Sequence, residues 1–310
     1  MNLLKKLNPG DTIGIFAPGS PTRLELVEKG IKQLESEGFK VSIPIDPSKN
    51  YGRGDGSFSS ASVEERLSAL NALLDDDKVK VILSARGAYG TAEILPKLDF
   101  KKIALSKKAI IGYSDVTALV SIIPKLCNIP AIHGPTLTKE FAEASESKDA
   151  LDSIKSLLSL LRGESIAPLL GKFLKNGAAE GPLLVGNLSV LCALLGTPFE
   201  PDFSNAVLVI EETGEAPYRI HRMLMQLKLA GKLESLAALA FARFSKCESK
   251  NIPSLETTIT QFLAEQLKSL DYPVLAGLEL GHNGINLALP CGVNARVEEN
   301  QLRVVGKVVE

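Results

Sequence analysis

Ser114 stands where a buried strand would run into a helix, which is the setting of an exposed nucleophile. Residues 109–111 are apolar, Gly112 and Tyr113 follow them, and 116–125 has helical spacing. A sharp turn there pushes the hydroxyl clear of the sheet, and a helix N-terminus offers N–H groups to an oxyanion. The second glycine of G-x-S-x-G is absent, and a serine that caps a helix would look the same. The sequence of this segment therefore leaves two roles open for Ser114, nucleophile and helix cap.

A serine nucleophile needs a base, and histidine titrates near neutral pH. The chain has three histidines, His133, His221 and His282. His282 lies in a glycine-rich corner after a predicted strand, and His133 lies in a turn after another. His221 falls inside a predicted amphipathic helix, so we expect it at the surface. We therefore expect the catalytic base to be the histidine that pairs with a carboxylate.

Two acids, Glu211 and Glu212, follow the apolar strand predicted over 206–210. A carboxylate at the end of a buried strand is costly unless it has a partner. Successive strand residues point to opposite faces, so we expect only one of them, Glu211, to orient a histidine. Ion pairs with Arg219 and Arg222 would be a purely structural alternative.

A glycine-rich turn, Arg86-Gly87-Ala88-Tyr89-Gly90, follows another predicted strand. Its N–H groups can face an anion at the same sheet edge as Ser114. The turn lacks the G-x-G-x-x-G pattern and a Walker lysine, so it does not indicate a nucleotide. No cluster of His, Cys and Asp has the spacing of metal ligands. We therefore expect neither a metal nor another cofactor.

The elements that position these residues alternate between apolar strands and amphipathic helices in the first half of the chain. Strands are predicted at 11–17, 39–45, 79–84 and 109–111, and helices at 24–34, 63–74 and from 91. Such alternation predicts an α/β domain with a parallel sheet, of Rossmann-like or flavodoxin-like type. Ligands bind beyond the carboxyl ends of such strands.

The second half predicts a smaller α+β domain rich in antiparallel strands. Strands are expected at 206–210 and 237–241, helices at 218–229 and near 255–270, and antiparallel strands over 284–309. The stretch 164–182 is irregular and rich in glycine and proline. We therefore predict an N-terminal domain of 1–163, a linker of 164–182 and a C-terminal domain of 183–310.

Composition excludes several partners. The 310 residues carry a formal net charge of −1, so no overall field attracts nucleic acid or an anionic membrane. The four cysteines are scattered, which favours buried thiols over a disulfide framework. The start lacks a signal peptide's apolar core, and no stretch has the length of a membrane span. A cytoplasmic protein is expected.

Taken together, the motifs resemble those of the LD-carboxypeptidase family, which includes the microcin C self-immunity hydrolases. The glycine-rich turn is similar to the family's R-G-G-Y-G, and Gly112 to Ala118 to its G-[YH]-S-D-x-T-A. Further matches follow in order along the chain: Gly186-Asn187-Leu188, Gly196-Thr197-Pro198, the stretch from Glu211 to Arg222, and Gly277 to His282. The resemblance covers nearly the whole chain. Departures from the family pattern are Ala88 for glycine, Glu212 for aspartate and His221 for an acid.

The resemblance implies a catalytic triad of Ser114, Glu211 and His282, with the serine in the N-terminal domain and the other two in the C-terminal one. In such a mechanism the N–H of Asp115 and one from Gly87 or Ala88 would form the oxyanion hole. Substrate contacts are expected from four residues: Arg86, Tyr89, Asn187 and Arg219.

The implied reaction is release of the terminal D-alanine from cytoplasmic murein tetrapeptide, by a serine carboxypeptidase that is a homodimer. An alternative within the family is hydrolysis of an acyl-adenylate mimic. A non-catalytic peptide-binding module is the third hypothesis, but a binder has no need for three triad positions.

Overall fold

The computed structural model describes residues 1–50, 58–248, 270–282 and 284–310. The chain forms two compact units. The first comprises Met1–Ile166, Ile285–Gly292 and Lys307–Glu310, and the second comprises Ala167–Gly284 and Val293–Gly306. Two segments of the last 26 residues thus belong to the first unit.

The first unit is built on a six-stranded sheet. With strands numbered along the chain, its members are β1 (Thr12–Phe16), β2 (Lys40–Ser42), β3 (Val79–Ser84), β4 (Ala109–Ile111), β5 (Ala131–His133) and β12 (Leu289–Cys291). The spatial order is β12-β5-β4-β3-β1-β2, and all neighbours are parallel except β12 and β5. The predicted parallel α/β sheet is confirmed. Because β4 lies between β3 and β5, the turns that follow these strands meet at one sheet edge.

Seven α-helices accompany this sheet in the described residues. They are α1 (Leu24–Ser36), α2 (Val63–Asp75), α3 (Thr91–Ile94), α4 (Phe100–Ser106), α5 (Thr117–Val120), α6 (Ile123–Cys127) and α7 (Lys148–Leu161). The single helix predicted over 116–125 is wrong: a 3-10 turn, Ser114–Val116, leads into α5, and α6 starts anew with Pro124 in its first turn. Proline lacks the N–H that a continuous helix would need there.

The second unit is built on an eight-stranded sheet. Its strands are β6 (Leu169–Leu170), β7 (Lys172–Lys175), β8 (Ala179–Asn187), β9 (Val207–Thr213), β10 (Ala238–Ser245), β11 (Val274–Ala276), β13 (Asn294–Glu298) and β14 (Gln301–Val304). Their order is β6-β14-β13-β8-β9-β10-β11-β7. The central strands β8 to β11 are parallel and the flanking pairs are antiparallel, which confirms the predicted antiparallel content.

Helices α8 (Leu188–Ala193) and α9 (Pro217–Leu229) follow β8 and β9 in this unit. The apolar faces of α8, α9 and the central strands share one core, which includes Leu191, Leu208, Leu224 and Leu239. Burial of such side chains is the main force that holds the helices on the sheet.

Two local features depart from the sequence expectation. The stretch 164–182, predicted as a linker, contains β6, β7 and the start of β8. Strand β9 continues through both acids to Thr213 instead of ending at residue 210.

The helix predicted near 255–270 falls, apart from its last residue, outside the described residues. Within the described residues, no helix has the length and apolarity to cross a membrane.

A π-helical turn, Leu137–Phe141, lies between β5 and α7 and contacts α1 and the turn after β3. Thr138 donates from both its backbone N–H and its hydroxyl to the carbonyl of Ala85, at 3.0 Å each. Gly30 of α1 packs directly against this π turn, because a Cβ at Gly30 would collide with the carbonyl oxygen of Leu137.

Replacing Gly30 with alanine should therefore lower the free energy of unfolding by about 1 to 3 kcal/mol, since a backbone atom blocks the added methyl group. The measurement is chemical denaturation of the two proteins. Lys32→Ala, an exposed change on the same helix, is the control and should stay within about 0.5 kcal/mol of the parent. Equal stabilities for the Gly30 and Lys32 variants would contradict the packing described for α1.

Candidate active site

Ser114 lies three residues beyond β4, in a turn that is strained. Its φ is +62°, in the left-handed region that residues with a Cβ rarely adopt. A Cβ at Gly112 would lie 2.7 Å from Val116 and 2.8 Å from the Ser84 hydroxyl, so the turn needs glycine there. The cap position of the 3-10 turn is Tyr113, so Ser114 is not a helix cap. Its half-buried side chain sits at the tip of a sharp strand-to-helix turn.

The glycine-rich turn after β3 adjoins the Ser114 turn. A Cβ at Gly87 would lie 2.8 Å from the Ser114 Cβ and 3.1 Å from the backbone nitrogen of Asp115. The buried carboxylate of Asp115 accepts the N–H of Thr91 at 2.8 Å and so ties the two turns together. Ala88 has a φ of +75°, which favours glycine and costs energy with alanine.

Two more side chains of this turn have different surroundings. Arg86 is half-buried and donates to the carbonyl of Pro21 at 3.0 Å. Tyr89 is 57% exposed and packs edge-on against Phe58, with ring centroids 5.8 Å apart. Tyr89 thus presents an aromatic side chain to solvent, whereas Arg86 is engaged with the backbone.

In the second unit, His282 and Glu211 form a hydrogen-bonded pair. The distance from His282 Nδ1 to Glu211 Oε2 is 2.7 Å. The Glu211 side chain is fully buried, and that of His282 is 19% exposed. A buried carboxylate on Nδ1 fixes the ring and its tautomer, which leaves Nε2 able to accept a proton.

The loop that carries His282 is held over Glu211 by the end of β10. The Ser245 hydroxyl donates to the carbonyl of His282, and the N–H of Arg243 donates to that of Leu280 at 3.1 Å. Gly281 has a φ of +109°, and a Cβ there would lie 2.8 Å from Glu211 Oε2. The glycine therefore lets the loop approach the carboxylate closely.

Glu212 points away from Glu211 and has a different set of partners. Its carboxylate accepts from the Asn187 amide, the Ser189 N–H and its neighbour's N–H at Thr213, each at 2.8 Å. Burial raises the pKa of the Glu212 carboxyl, while these donors oppose the rise. Asn187 is itself buried and caps α8 through the N–H of Val190. Glu212 and Asn187 thus join β8, β9 and the start of α8.

The other predicted residues have different surroundings. His133 is fully buried at the end of β5, 5.8 Å from the Tyr113 ring centroid, where a base would have no access to substrate. His221 is half-buried on α9. Arg219, on the same helix, is exposed, pairs with Glu215 at 3.3 Å and lies over the ring of Tyr218.

Other kinds of catalytic centre find little support. The described residues contain no group of three or more His, Cys, Asp or Glu side chains that could hold a metal ion. All four cysteines are buried and form no disulfide. Burial raises the pKa of the Cys127 and Cys192 thiols to about 12, so neither is a ready nucleophile at neutral pH.

Sequence reasoning missed the residues that support the pair, Gly281 and Ser245. The signal for Gly281 was the glycine directly before His282, which is where a close approach to another side chain requires one. Ser245 gives no signal, because its role depends on where β10 ends relative to a loop 37 residues further on.

Replacing Gly281 with alanine should disrupt the Glu211–His282 pair. Gly277→Ala is a matched control: its φ is +82°, but a Cβ there meets nothing within 4 Å. Both variants should lose about 1 to 2 kcal/mol through backbone strain. Only Gly281→Ala should also abolish the downfield proton resonance of the His282 Nδ1–H in NMR spectra. Retention of that resonance in Gly281→Ala would contradict the geometry.

Comparison with known proteins gives two family matches. Residues 13–134 match the LD-carboxypeptidase N-terminal domain, and residues 180–297 match the LD-carboxypeptidase C-terminal domain. The first range holds Ser114 and the second holds Glu211 and His282.

Relatives along nearly the whole chain agree with these matches. A probable murein peptide carboxypeptidase of Bacillus subtilis is 35% identical over 94% of this chain and 90% of its own length. The murein tetrapeptide carboxypeptidase of Pseudomonas aeruginosa is 30% identical over 94% of each chain. The microcin C7 self-immunity protein of Escherichia coli is 27% identical over 96% of this chain and 93% of its own.

A solved structure extends the likeness to the fold. The muramoyltetrapeptide carboxypeptidase of Oxalobacter formigenes superposes with a TM-score of 0.84 at 28% identity, over 96% of this chain and 100% of that one. The family matches, the relatives and the fold agree over the same length of sequence. The chain belongs to the LD-carboxypeptidase family.

Proposed function

We propose that the protein is a serine carboxypeptidase that releases the terminal D-alanine from murein tetrapeptide. The observation that carries this proposal is the 2.7 Å bond between His282 and the buried carboxylate of Glu211. A histidine oriented in this way is a general base, and the strained, half-buried Ser114 has the setting of a nucleophile. Relatives named for murein peptides supply the substrate class.

In the proposed reaction His282 Nε2 removes the hydroxyl proton of Ser114, and the serine oxygen attacks the amide carbonyl. Glu211 holds the imidazole and stabilises its charged form. The imidazolium then gives the proton to the leaving D-alanine amine, which departs and leaves an acyl-enzyme. Water, deprotonated by His282, cleaves the ester and restores Ser114.

Developing charge on the carbonyl oxygen needs N–H donors. We propose the backbone N–H of Asp115 and one from Gly87 or Ala88. The close approach of Gly87 to Ser114 and to the Asp115 nitrogen supports this choice, because it puts both backbones beside the nucleophile. The left-handed φ of Ala88 orients the peptide units on either side of it.

Four residues remain proposed substrate contacts, and their surroundings rank them. Tyr89 and Arg219 are more than half exposed, so they suit direct contact. Arg86 would have to release the Pro21 carbonyl in order to bind a carboxylate. Asn187 is the weakest of the four, since its amide already binds Glu212 and caps α8.

The resemblance to the family also leads us to propose cytoplasmic murein recycling, a homodimer, and an N-terminal domain that carries Ser114 with a C-terminal domain that carries Glu211 and His282. The second candidate function is hydrolysis of an acyl-adenylate mimic. It is favoured by the 27% identity to the microcin C7 self-immunity protein, a relative that the match covers over 93% of its own length. We rank it second because the relatives with higher identity are named as carboxypeptidases.

Incubation with murein tetrapeptide, followed by mass spectrometry, tests the proposal. The wild type should release one alanine and leave the tripeptide. Aspartyl sulfamoyl adenosine, an acyl-adenylate mimic that tests the second candidate function, should be a poorer substrate. Ser114→Ala should abolish turnover with little change in thermal unfolding, because a half-buried hydroxyl at a turn adds little to packing. Ser36→Ala, an exposed change on α1, is the control and should keep full activity. Alanine release by Ser114→Ala at the wild-type rate would contradict the mechanism.

A further inference from the structure

Glu140 is a buried carboxyl group that the proposed reaction does not use. It belongs to the π turn, and its side chain is 3% exposed. One of its oxygens accepts the N–H of Thr136 at 2.8 Å. An acid that is withdrawn from water so completely is costly unless its bonds do something for the surrounding structure.

The same oxygen of Glu140 also accepts from the Thr136 hydroxyl at 3.5 Å, and a hydrogen bond from the Tyr113 side chain lowers the pKa of this carboxyl group. Burial raises the pKa of Glu140, and the bonds from Thr136 and Tyr113 oppose that rise. Tyr113 is 4% exposed and directly precedes Ser114 in the chain. Its ring also packs beside His133. Glu140 therefore fixes the far end of a side chain whose backbone leads into the nucleophile.

The π turn also holds the other side of the candidate site. Thr138, two residues before Glu140, donates twice to the carbonyl of Ala85, which begins the turn that contains Gly87. One short segment thus anchors both the Ser114 turn and the turn beside it. Single π turns in proteins are frequently found at functional sites.

We propose that Glu140 is a positioning residue that acts through Tyr113 to hold Ser114 in its left-handed conformation. This inference rests on the proposed role of Ser114 as nucleophile. The φ of +62° is unfavourable for serine and persists only if neighbouring contacts enforce it. The Tyr113 side chain, fixed at its hydroxyl by Glu140, supplies such a contact at the adjacent residue. Without it the turn relaxes and the hydroxyl leaves its reactive position.

The test is the rate at which a fluorophosphonate labels Ser114, measured with purified full-length protein. The variants are Glu140→Gln, Tyr113→Phe and the double substitution. Glu143→Gln is the matched control, because Glu143 lies just beyond the same π turn and pairs with Lys139 at the surface. Labelling gives two quantities: its amplitude counts folded sites, and its rate constant reports the reactivity of each site. Turnover of murein tetrapeptide is measured in parallel as kcat and KM.

We expect each single variant to lower the labelling rate constant by about ten- to hundredfold, the cost of a small misplacement of a reacting group. The double variant should be labelled no more slowly than the slower single variant, because Glu140 acts on Ser114 only through Tyr113. kcat should fall with the labelling rate while KM stays within about twofold. Glu143→Gln should match the wild type in every readout.

A reduced amplitude or melting temperature with an unchanged rate constant would overturn the inference, since it would show a role in folding alone. Additive losses in the double variant would overturn the path through Tyr113. Labelled wild type that fails to hydrolyse tetrapeptide would remove the proposed substrate and leave the positioning role standing. A wild type that is not labelled at Ser114 would overturn both.

Discussion

The bond between Glu211 and His282 is the interaction on which the second unit's site depends. A fully buried carboxylate loses its hydration, and the loss is tolerable only with a partner at close range. The sheet puts Glu211 on a strand between two parallel neighbours: Glu211 pairs with Asn187 of β8, and the residues on either side of it in β9 pair with β10. The loop before His282 then reaches it because Gly281 has no side chain.

The two adjacent acids of β9 show how one strand serves two needs. Their side chains point to opposite faces, as strand geometry requires. Glu211 meets the histidine, and Glu212 receives three donors that join β8, β9 and α8. Stability and chemistry are therefore served by neighbouring residues with the same side chain. What separates their roles is the face of the sheet to which each belongs.

In the first unit the corresponding constraint is backbone strain. Ser114 and Ala88 both have positive φ values, and they lie in turns that follow neighbouring strands. Such strain needs support from elsewhere, and the π turn supplies bonds to both regions through Thr138 and Glu140. The same segment packs on α1 at Gly30, so the support extends into the body of the unit.

Much of this could be predicted from the sequence, because its signals are local. Strand and helix alternation gave the parallel sheet, and the small-residue turn gave Ser114 its setting. Alternation along β9 separated Glu211 from Glu212. The boundaries of the predicted elements were less accurate. The partners of both acids let β9 run on to Thr213, and a proline broke the helix after Ser114.

Long-range pairing could not be predicted in this way. Strand β12 returns to the first unit to pair with β5, more than 150 residues away along the chain, and no local pattern specifies that partner. The strands within 164–182 escape notice for the same reason, since they are short and gain stability from distant neighbours. The roles of Gly281 and Glu140 follow only once those neighbours are known.

The proposed triad assigns the orientation of His282 to Glu211 and not to Glu212. The most direct measurement compares turnover of murein tetrapeptide per folded molecule in Glu211→Gln and Glu212→Gln at one pH. Glutamine keeps the shape of Glu211 but removes the charge that supports the imidazolium, so turnover should fall by roughly three to four orders of magnitude. Glu212→Gln should stay within about tenfold of the wild type, with its main effect on stability. The reverse ranking, with Glu212→Gln inactive and Glu211→Gln near wild type, would contradict this assignment.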